Sequence, residues 1–259
     1  MQTNIIVAGY PKSGCTWVTR LAAELVQCPI VGFLDHDHED IAQEGQNRGS
    51  VFRCYKAHQQ LHDVRRSPIA GNSKIIYVVR DPRDIAISGA HYFQFVRPPC
   101  LATLLDKYPR GNRAYMKMVH PWVSPLSYRI EQMMRAVLYG SRHIDPWVRL
   151  PWKNHYPPYV EDHCFLLTFE NLLAEPQREC KRMLEYLGLR RSSDEVRKAV
   201  EKQSFEKKKA GFLKTHEIAK AGFMRAGTSG QWRHELTGKQ KELFSRTLAV
   251  QLKQFGYSD

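Results

Sequence analysis

The sequence predicts an α/β fold with a central parallel β-sheet flanked by helices, carried as a single domain over residues 1–259. Three observations lead there. Short apolar runs recur along the chain, at Asn4–Ala8, Ile75–Val79 and Cys164–Phe169, the second of them rich in β-branched residues. Each is followed by a stretch with helical spacing of apolar residues, and strands separated by helices of that length require right-handed crossovers and parallel pairing. Finally, the segments richest in chemistry, GYPKSGCT and RDPRD, fall where strand gives way to helix. That is the end of a parallel sheet that binds ligands.

Taken in order, Asn4–Ala8 reads as a buried strand and Thr16–Val26 as a helix, with Leu21 and Leu25 one turn apart. The strand at Ile75–Val79 breaks at RDPRD and leads into a helix from about Ile85 to Phe93. Residues 97–158 are rich in Pro, Tyr and Trp, with a helical patch at Ile130–Leu138. The strand at Cys164–Phe169 precedes a helix at Glu175–Leu187. There is no internal repeat and no low-complexity tract.

Composition narrows the class. Hydrophobic residues make up 42% and charged residues 25%, ordinary for a chain with a real core. The six cysteines (Cys15, Cys28, Cys54, Cys100, Cys164, Cys180) form no CxxC pair, so packed, reduced thiols are expected. No charged leader precedes a long apolar stretch, and no apolar run approaches membrane-spanning length, which predicts a cytoplasmic protein without a membrane partner. The formal charge of +13 asks for an anionic partner. Its basic residues lie in separate patches, at Arg80 and Arg83, Lys207–Lys209, and Arg225 and Arg233. That suits a compact polyanion in a cleft at least as well as a nucleic acid duplex.

The loop after the first strand reads as an anion site. Gly9 and Gly14 bracket a tight turn into a helix, whose first N–H groups and dipole attract negative charge, and Lys12 lies within it. The order of residues departs from a P-loop, where lysine follows the last glycine and precedes a Ser or Thr that ligates magnesium. Here Lys12 precedes Ser13 and Gly14. A nucleotide kinase using ATP and magnesium, and a nucleic-acid-binding protein, are the rival classes.

Four segments in order resemble the PAPS-dependent sulfotransferases, small-molecule cytosolic type. YPKSGCTW resembles their 5′-phosphosulfate loop, implying a P-loop-NTPase-like sulfotransferase fold and nucleotide contacts at Lys12, Ser13, Gly14, Cys15, Thr16 and Trp17. YKAH resembles the segment carrying the family's general base. It implies a catalytic His58, flanked by Lys56 and set three residues after a strand. RDPRDIAIS resembles the 3′-phosphate segment and implies Arg80 and Ser88 as phosphate contacts; without the loop, Arg80 would read equally as an ion pair with Asp84. FMRAGTSGQW resembles the closing C-terminal loop and implies Phe223, Met224, Arg225 and Gly227, with Ala226 where a lysine is usual. The resemblance further implies adenine stacking on Trp17, Phe169 and Phe205, with Ser13 holding Lys12 before the acceptor arrives. RHELTGKQKE, residues 233–242, resembles a dimer patch with Gly238 in place of a valine, leaving monomer or homodimer open.

The implied reaction moves the sulfuryl group of PAPS to a hydroxyl or amine of a small molecule and releases PAP. It needs no metal, and the DHDHED run offers no defined coordination frame. The acceptor is less legible. The acidic run holding Asp35, Asp37, Glu39 and Asp40 reads either as a solvated loop or as the wall of a site for a cationic acceptor, because carboxylates pair with guanidinium. A guanidine-bearing natural product, such as the toxin alkaloid cylindrospermopsin, suits the second reading; a phenol or steroid would want an apolar pocket. Tyr10 and Tyr92 are further candidates for acceptor contact.

Overall fold

The computed structural model describes residues 2–35, 43–93, 122, 124–214 and 227–257. Along the chain run β1 (Thr3–Gly9), α1 (Cys15–Val26), β2 (Ile30–Phe33), β3 (Phe52–Ala57), α2 (Leu61–Arg66), β4 (Ser73–Val79), α3 (Pro82–Ala90) and α4 (Leu126–Tyr139). They are followed by α5 (Trp152–His155), α6 (Pro157–Glu161), β5 (Phe165–Thr168), α7 (Phe169–Ala174), α8 (Pro176–Leu187), α9 (Ser193–Lys202), α10 (Phe205–Lys214), α11 (Trp232–Glu235) and α12 (Gly238–Gln254). The chain divides into two compact units, Met1–Asp81 with His155–Ser229, and Pro82–Asn154 with Gly230–Asp259.

The first unit holds a five-stranded sheet in the order β2-β3-β1-β4-β5, every neighbour parallel. Alternation along the strands decides what each face packs against. Ile5 and Val7 of β1 and Ile76 and Val78 of β4 join Val18, Leu21 and Leu25 of α1, Met183 and Leu184 of α8, and Val196 of α9 in one buried cluster. The side chain of Tyr77, between Ile76 and Val78, turns to the opposite face and lies 4.4 Å from the ring of Tyr159 of α6. Helices α1 and α9 are joined through a buried carboxylate: Glu24 accepts from Arg48 at 2.7 Å and from Lys202 at 2.8 Å. Burial pushes the Glu24 carboxyl up, but those two cations outweigh it and hold the group at about 2.

The second unit packs α3 against α4 so closely that a Cβ on Gly89 would sit 2.6 Å from the Met133 sulfur. The guanidinium of Arg83 lies 3.6 Å from the Trp232 ring centroid and donates to the Tyr257 carbonyl at 3.2 Å. The carboxylate of Asp84 accepts the backbone N–H groups of Gly230 and Trp232.

The structure moves several expected boundaries. Helix α3 starts at Pro82 rather than Ile85, since the fixed φ of proline suits a first helical position. It ends at Ala90, where the Gly89 carbonyl accepts from both Tyr92 and Phe93 and tightens the last turn. The third expected strand ends at Thr168, whose hydroxyl caps the next helix by accepting from the Asn171 N–H, so Phe169 opens α7. Strand β2 is absent from the sequence reading: it has only four residues, and Gly32, at φ +145°, interrupts its pattern. His58 follows β3 directly, not three residues beyond it.

Candidate active site

The loop between β1 and α1 is built around two glycines that tolerate no side chain. A Cβ on Gly9 would lie 2.7 Å from the Cys15 sulfur and 2.8 Å from the Val78 carbonyl oxygen. One on Gly14 would lie 2.6 Å from the Phe169 ring, and Gly14 has φ +94°, a left-handed conformation that side chains disfavour. Lys12 also stands at positive φ, 71°. Between these left-handed residues, the Ser13 N–H donates to the Tyr10 carbonyl at 3.1 Å, closing the turn. Gly14 caps α1 without a side chain, so the helix opens on backbone N–H groups. The Ser13 hydroxyl is fully buried and has no hydrogen-bond partner among the described residues. An orphaned buried hydroxyl in a turn at a helix N-terminus fits an anion supplied from outside the chain.

Beside the loop, Arg80 leaves the end of β4. Its guanidinium donates to the Lys12 carbonyl at 3.0 Å and to the Thr228 carbonyl at 3.0 Å, and stacks 4.3 Å above the Phe169 ring. The side chain is 8% exposed. Trp17 meets Phe169 edge-on at 5.6 Å and donates its indole N–H to the Gln203 carbonyl at 2.9 Å. Gly227, at φ +65°, lies against the Phe205 ring, where a Cβ would come within 2.4 Å. Phe205, Gly227 and Thr228 thus approach the loop's supporting residues from the far end of the sequence.

His58 sits at the carboxyl end of β3. Its Nδ1 lies 2.7 Å from the Gly9 carbonyl. A carbonyl oxygen only accepts, so Nδ1 carries the hydrogen, and in the neutral ring Nε2 is the unprotonated nitrogen. Burial first, and then the ammonium of Lys56, hold the imidazole well below its usual range, which keeps it neutral. Lys56 is 2% exposed and lies 5.5 Å from the Phe33 ring, and Phe33 lies 5.5 Å from the His58 ring.

The backbone at His58 is held on all sides. The His58 N–H donates to the Gln59 side-chain oxygen at 2.9 Å, and the Gln59 amide donates to the Leu34 carbonyl at 2.6 Å. Nε2 of His155 lies 3.0 Å from the His58 carbonyl, and the Tyr159 hydroxyl donates to the Gln59 carbonyl at 2.7 Å. His155 Nε2 is therefore its protonated nitrogen, leaving Nδ1 to accept from the Tyr77 hydroxyl at 2.8 Å. Burial takes the His155 imidazole down to about 4.

Of the residues singled out in the sequence, the first unit brings together Lys12, Ser13, Gly14, Cys15, Thr16, Trp17, Lys56, His58, Arg80, Phe169, Phe205 and Gly227. Tyr10 is fully buried, edge-on to His155 at 5.5 Å, a packing position behind the loop rather than an open wall. Asp35 is exposed just past β2 and accepts from the Ser67 hydroxyl at 3.0 Å. Ser88, seventh residue of α3, and Tyr92, 41% exposed, belong to the second unit. Asp37, Asp40, Phe223, Met224 and Arg225 lie outside the described residues. In place of the alternative ion pair with Arg80, Asp84 bonds the two backbone amides given above. Segment 233–242 caps α12 through Thr237 and Gln240, and the Lys241 ammonium donates to the Arg233 carbonyl at 2.6 Å. His155, Tyr159 and Tyr77 were not singled out in the sequence; no local pattern marks them, since their partners lie 97, 100 and 78 residues away.

A sulfotransferase domain model matches residues 2–256. Rat sulfotransferase 2A1 is 23% identical over 97% of this chain and 85% of its own length, and rat sulfotransferase 1A1 is 27% identical over 93% and 81%. Mouse sulfotransferase SULT7A1, solved with PAP, superposes with a TM-score of 0.64 at 16% identity, covering 98% of this chain and 85% of that one. Retinol dehydratase, solved with androsterone and PAP, gives 0.63 at 17% identity, covering 98% and 82%. The chain belongs to the PAPS-dependent sulfotransferase family. Among the described residues, no helix is long and apolar enough to cross a membrane.

Proposed function

We propose that residues 1–259 act as one sulfotransferase domain that transfers the sulfuryl group of PAPS to a hydroxyl of a small molecule, with His58 as general base. The observation that carries this is the 2.7 Å bond from His58 Nδ1 to the Gly9 carbonyl. Gly9 both opens the anion loop and fixes the tautomer of the base, so loop and base are in register by a single backbone group. The extent of the family match, which runs across both units, supports treating them as one domain.

In this reading the 5′-phosphate of PAPS is held by the backbone from Ser13 to Thr16, by Lys12, and by the Ser13 hydroxyl, which then gains a partner. Arg80 and Gly227 hold the 3′-phosphate; Ser88, Phe223, Met224 and Arg225 join the site on family resemblance alone. Trp17 and Phe205 flank the adenine, with Phe169 supporting them from beneath the loop. PAPS supplies the sulfuryl group. His58 Nε2 takes the acceptor's proton as the acceptor oxygen bonds to sulfur; the bond from sulfur to the phosphate oxygen breaks, and PAP leaves. Lys12 offsets the charge that builds on the departing oxygen. Burial, with Lys56 second, keeps His58 unprotonated, and so competent as a base, into acid solution.

For the acceptor we extend the proposal to an alcohol carrying a cationic group, a guanidine-bearing natural product being the type, with Asp35 as its described contact. The exposure of Asp35 supports this. The test is release of PAP from PAPS with a phenol, a steroid alcohol and a guanidinium-bearing alcohol offered in parallel, alongside thermal shifts with PAP and with ATP plus magnesium. PAP stabilises the protein in the proposed case, and at about a hundred times its Kd adds about 2.7 kcal/mol. Stabilisation by ATP with magnesium alone returns the loop to the kinase reading, and preference for the phenol removes the cationic acceptor.

A further inference from the structure

We propose that His155, oriented by Tyr77, is a positioning residue for the general base: it holds the His58 peptide so that the imidazole stays in one tautomer, with its hydrogen on Nδ1. The inference rests on the assignment of His58 as the base and adds a residue no motif includes.

The geometry is a continuous chain of donors. The Tyr77 hydroxyl, on β4, donates to His155 Nδ1 at 2.8 Å; His155 Nε2–H donates to the His58 carbonyl at 3.0 Å; His58 Nδ1–H donates to the Gly9 carbonyl at 2.7 Å. Each link fixes the next. A tyrosine hydroxyl can present its hydrogen to Nδ1, and that leaves the His155 proton on Nε2. The Nε2 donor fixes the orientation of the peptide after His58, and that peptide sets where the His58 ring meets Gly9. Tyr77 and His155 are fully buried or nearly so, at 0% and 1% exposed, and Tyr77, Tyr159 and Tyr10 surround the His155 ring within 6.0 Å. A histidine in such a site is costly to bury without a task, because its two nitrogens demand two correctly placed partners. Leu or Phe would fill the space with no such demand. What the histidine adds is a donor aimed at the one carbonyl adjoining the proposed base. The neighbouring carbonyl, of Gln59, is held by the Tyr159 hydroxyl at 2.7 Å, so α5 and α6 together clamp two successive peptides.

The test reads the tautomers directly and needs no acceptor. In protein labelled with nitrogen-15 histidine, long-range proton–nitrogen spectra distinguish a ring protonated at Nδ1 from one protonated at Nε2. His58 and His155 are assigned by their loss in His58→Ala and His155→Leu. Wild type is expected to show His58 as the Nδ1–H form and His155 as the Nε2–H form. In His155→Leu the His58 signal should move to a mixture of both forms. His155→Gln, whose amide can donate from the same place, should keep most of the Nδ1–H form, and Tyr77→Phe should fall between. If His155→Leu lowers only Tm while His58 stays wholly Nδ1–H, the proposal is overturned. If the leucine variant does not fold, His155→Gln against His155→Asn decides: retention in the first with loss in the second supports it, and no difference between them overturns it. Failure of the underlying assignment is visible separately, as undiminished PAP release by His58→Ala, whatever the spectra show.

Discussion

Two turns end neighbouring strands of the same sheet, and they are built on opposite plans. The turn after β1 is made of backbone. Its shape comes from Gly9 and Gly14, its closure from a local bond between Ser13 and Tyr10, and its Ser13 hydroxyl is buried with no partner among the described residues. The turn after β3 is held by side chains: His58 and Gln59 are fixed by His155, Tyr159 and the Gln59 amide, and its polar groups are satisfied from within. Under the proposed function the contrast has a reason: a binding loop is completed by its ligand, whereas a base must be fixed beforehand, because any freedom in its ring dilutes the productive geometry.

The sharpest way to separate the two is His58→Ala. Turnover should fall about 10²–10⁴-fold, while the thermal shift with PAP is retained; joint loss of both would make His58 part of the loop's architecture. Next comes acid. His155 sits at about 4 when folded against an ordinary 6.5. Below pH 6.5 the unfolded chain takes up a proton that the folded one refuses, so this group's stabilisation is complete above pH 6.5 and is lost as pH falls toward 4. The loss is roughly 3 kcal/mol, and His58 shifts in the same direction. Chemical denaturation at pH 7 and pH 4.5 should show the slope, and His155→Gln should flatten it. A pH-independent wild type would mean that His155 is charged in the fold.

Gly14→Ala breaks the other turn. The left-handed conformation and the Phe169 contact should cost about 1–3 kcal/mol and abolish the PAP shift, while the His58 tautomer is unchanged. An intact PAP shift would show that the loop can move aside. The smallest effect is expected from Tyr77→Phe, which removes one hydrogen bond worth about 0.5–1.5 kcal/mol; equilibrium unfolding near neutral pH reads it.

The same contrast explains what could be read from the sequence. Strands β1 and β4, helix α1 and the glycine turn were legible because apolar period and glycine spacing are local properties. Arg80 was legible as a residue of consequence but not in its contacts: it donates to the carbonyls of Lys12 and Thr228 and lies on Phe169, groups separated from it by up to 148 residues. The clamp on His58 was illegible for the same reason in stronger form. His155 and Tyr159 stand in a Pro- and aromatic-rich stretch with no period, and only the pairing of β4 with β5 and the turn of α6 bring them to the end of β3. β2 escaped because four residues with a central glycine carry too short a pattern to recognise.

The clamp also dates the site during synthesis. His58 and Gln59 leave the ribosome 97 and 100 residues ahead of the His155 and Tyr159 that fix them. At about 5–20 residues per second, the His58 peptide waits several seconds for the side chains that fix it, and Phe169, against which Gly14 packs, arrives later still. A chain stalled in that interval would carry His58 without its clamp and would still lack Phe169, Phe205 and Gly227, so both turns would be incomplete together.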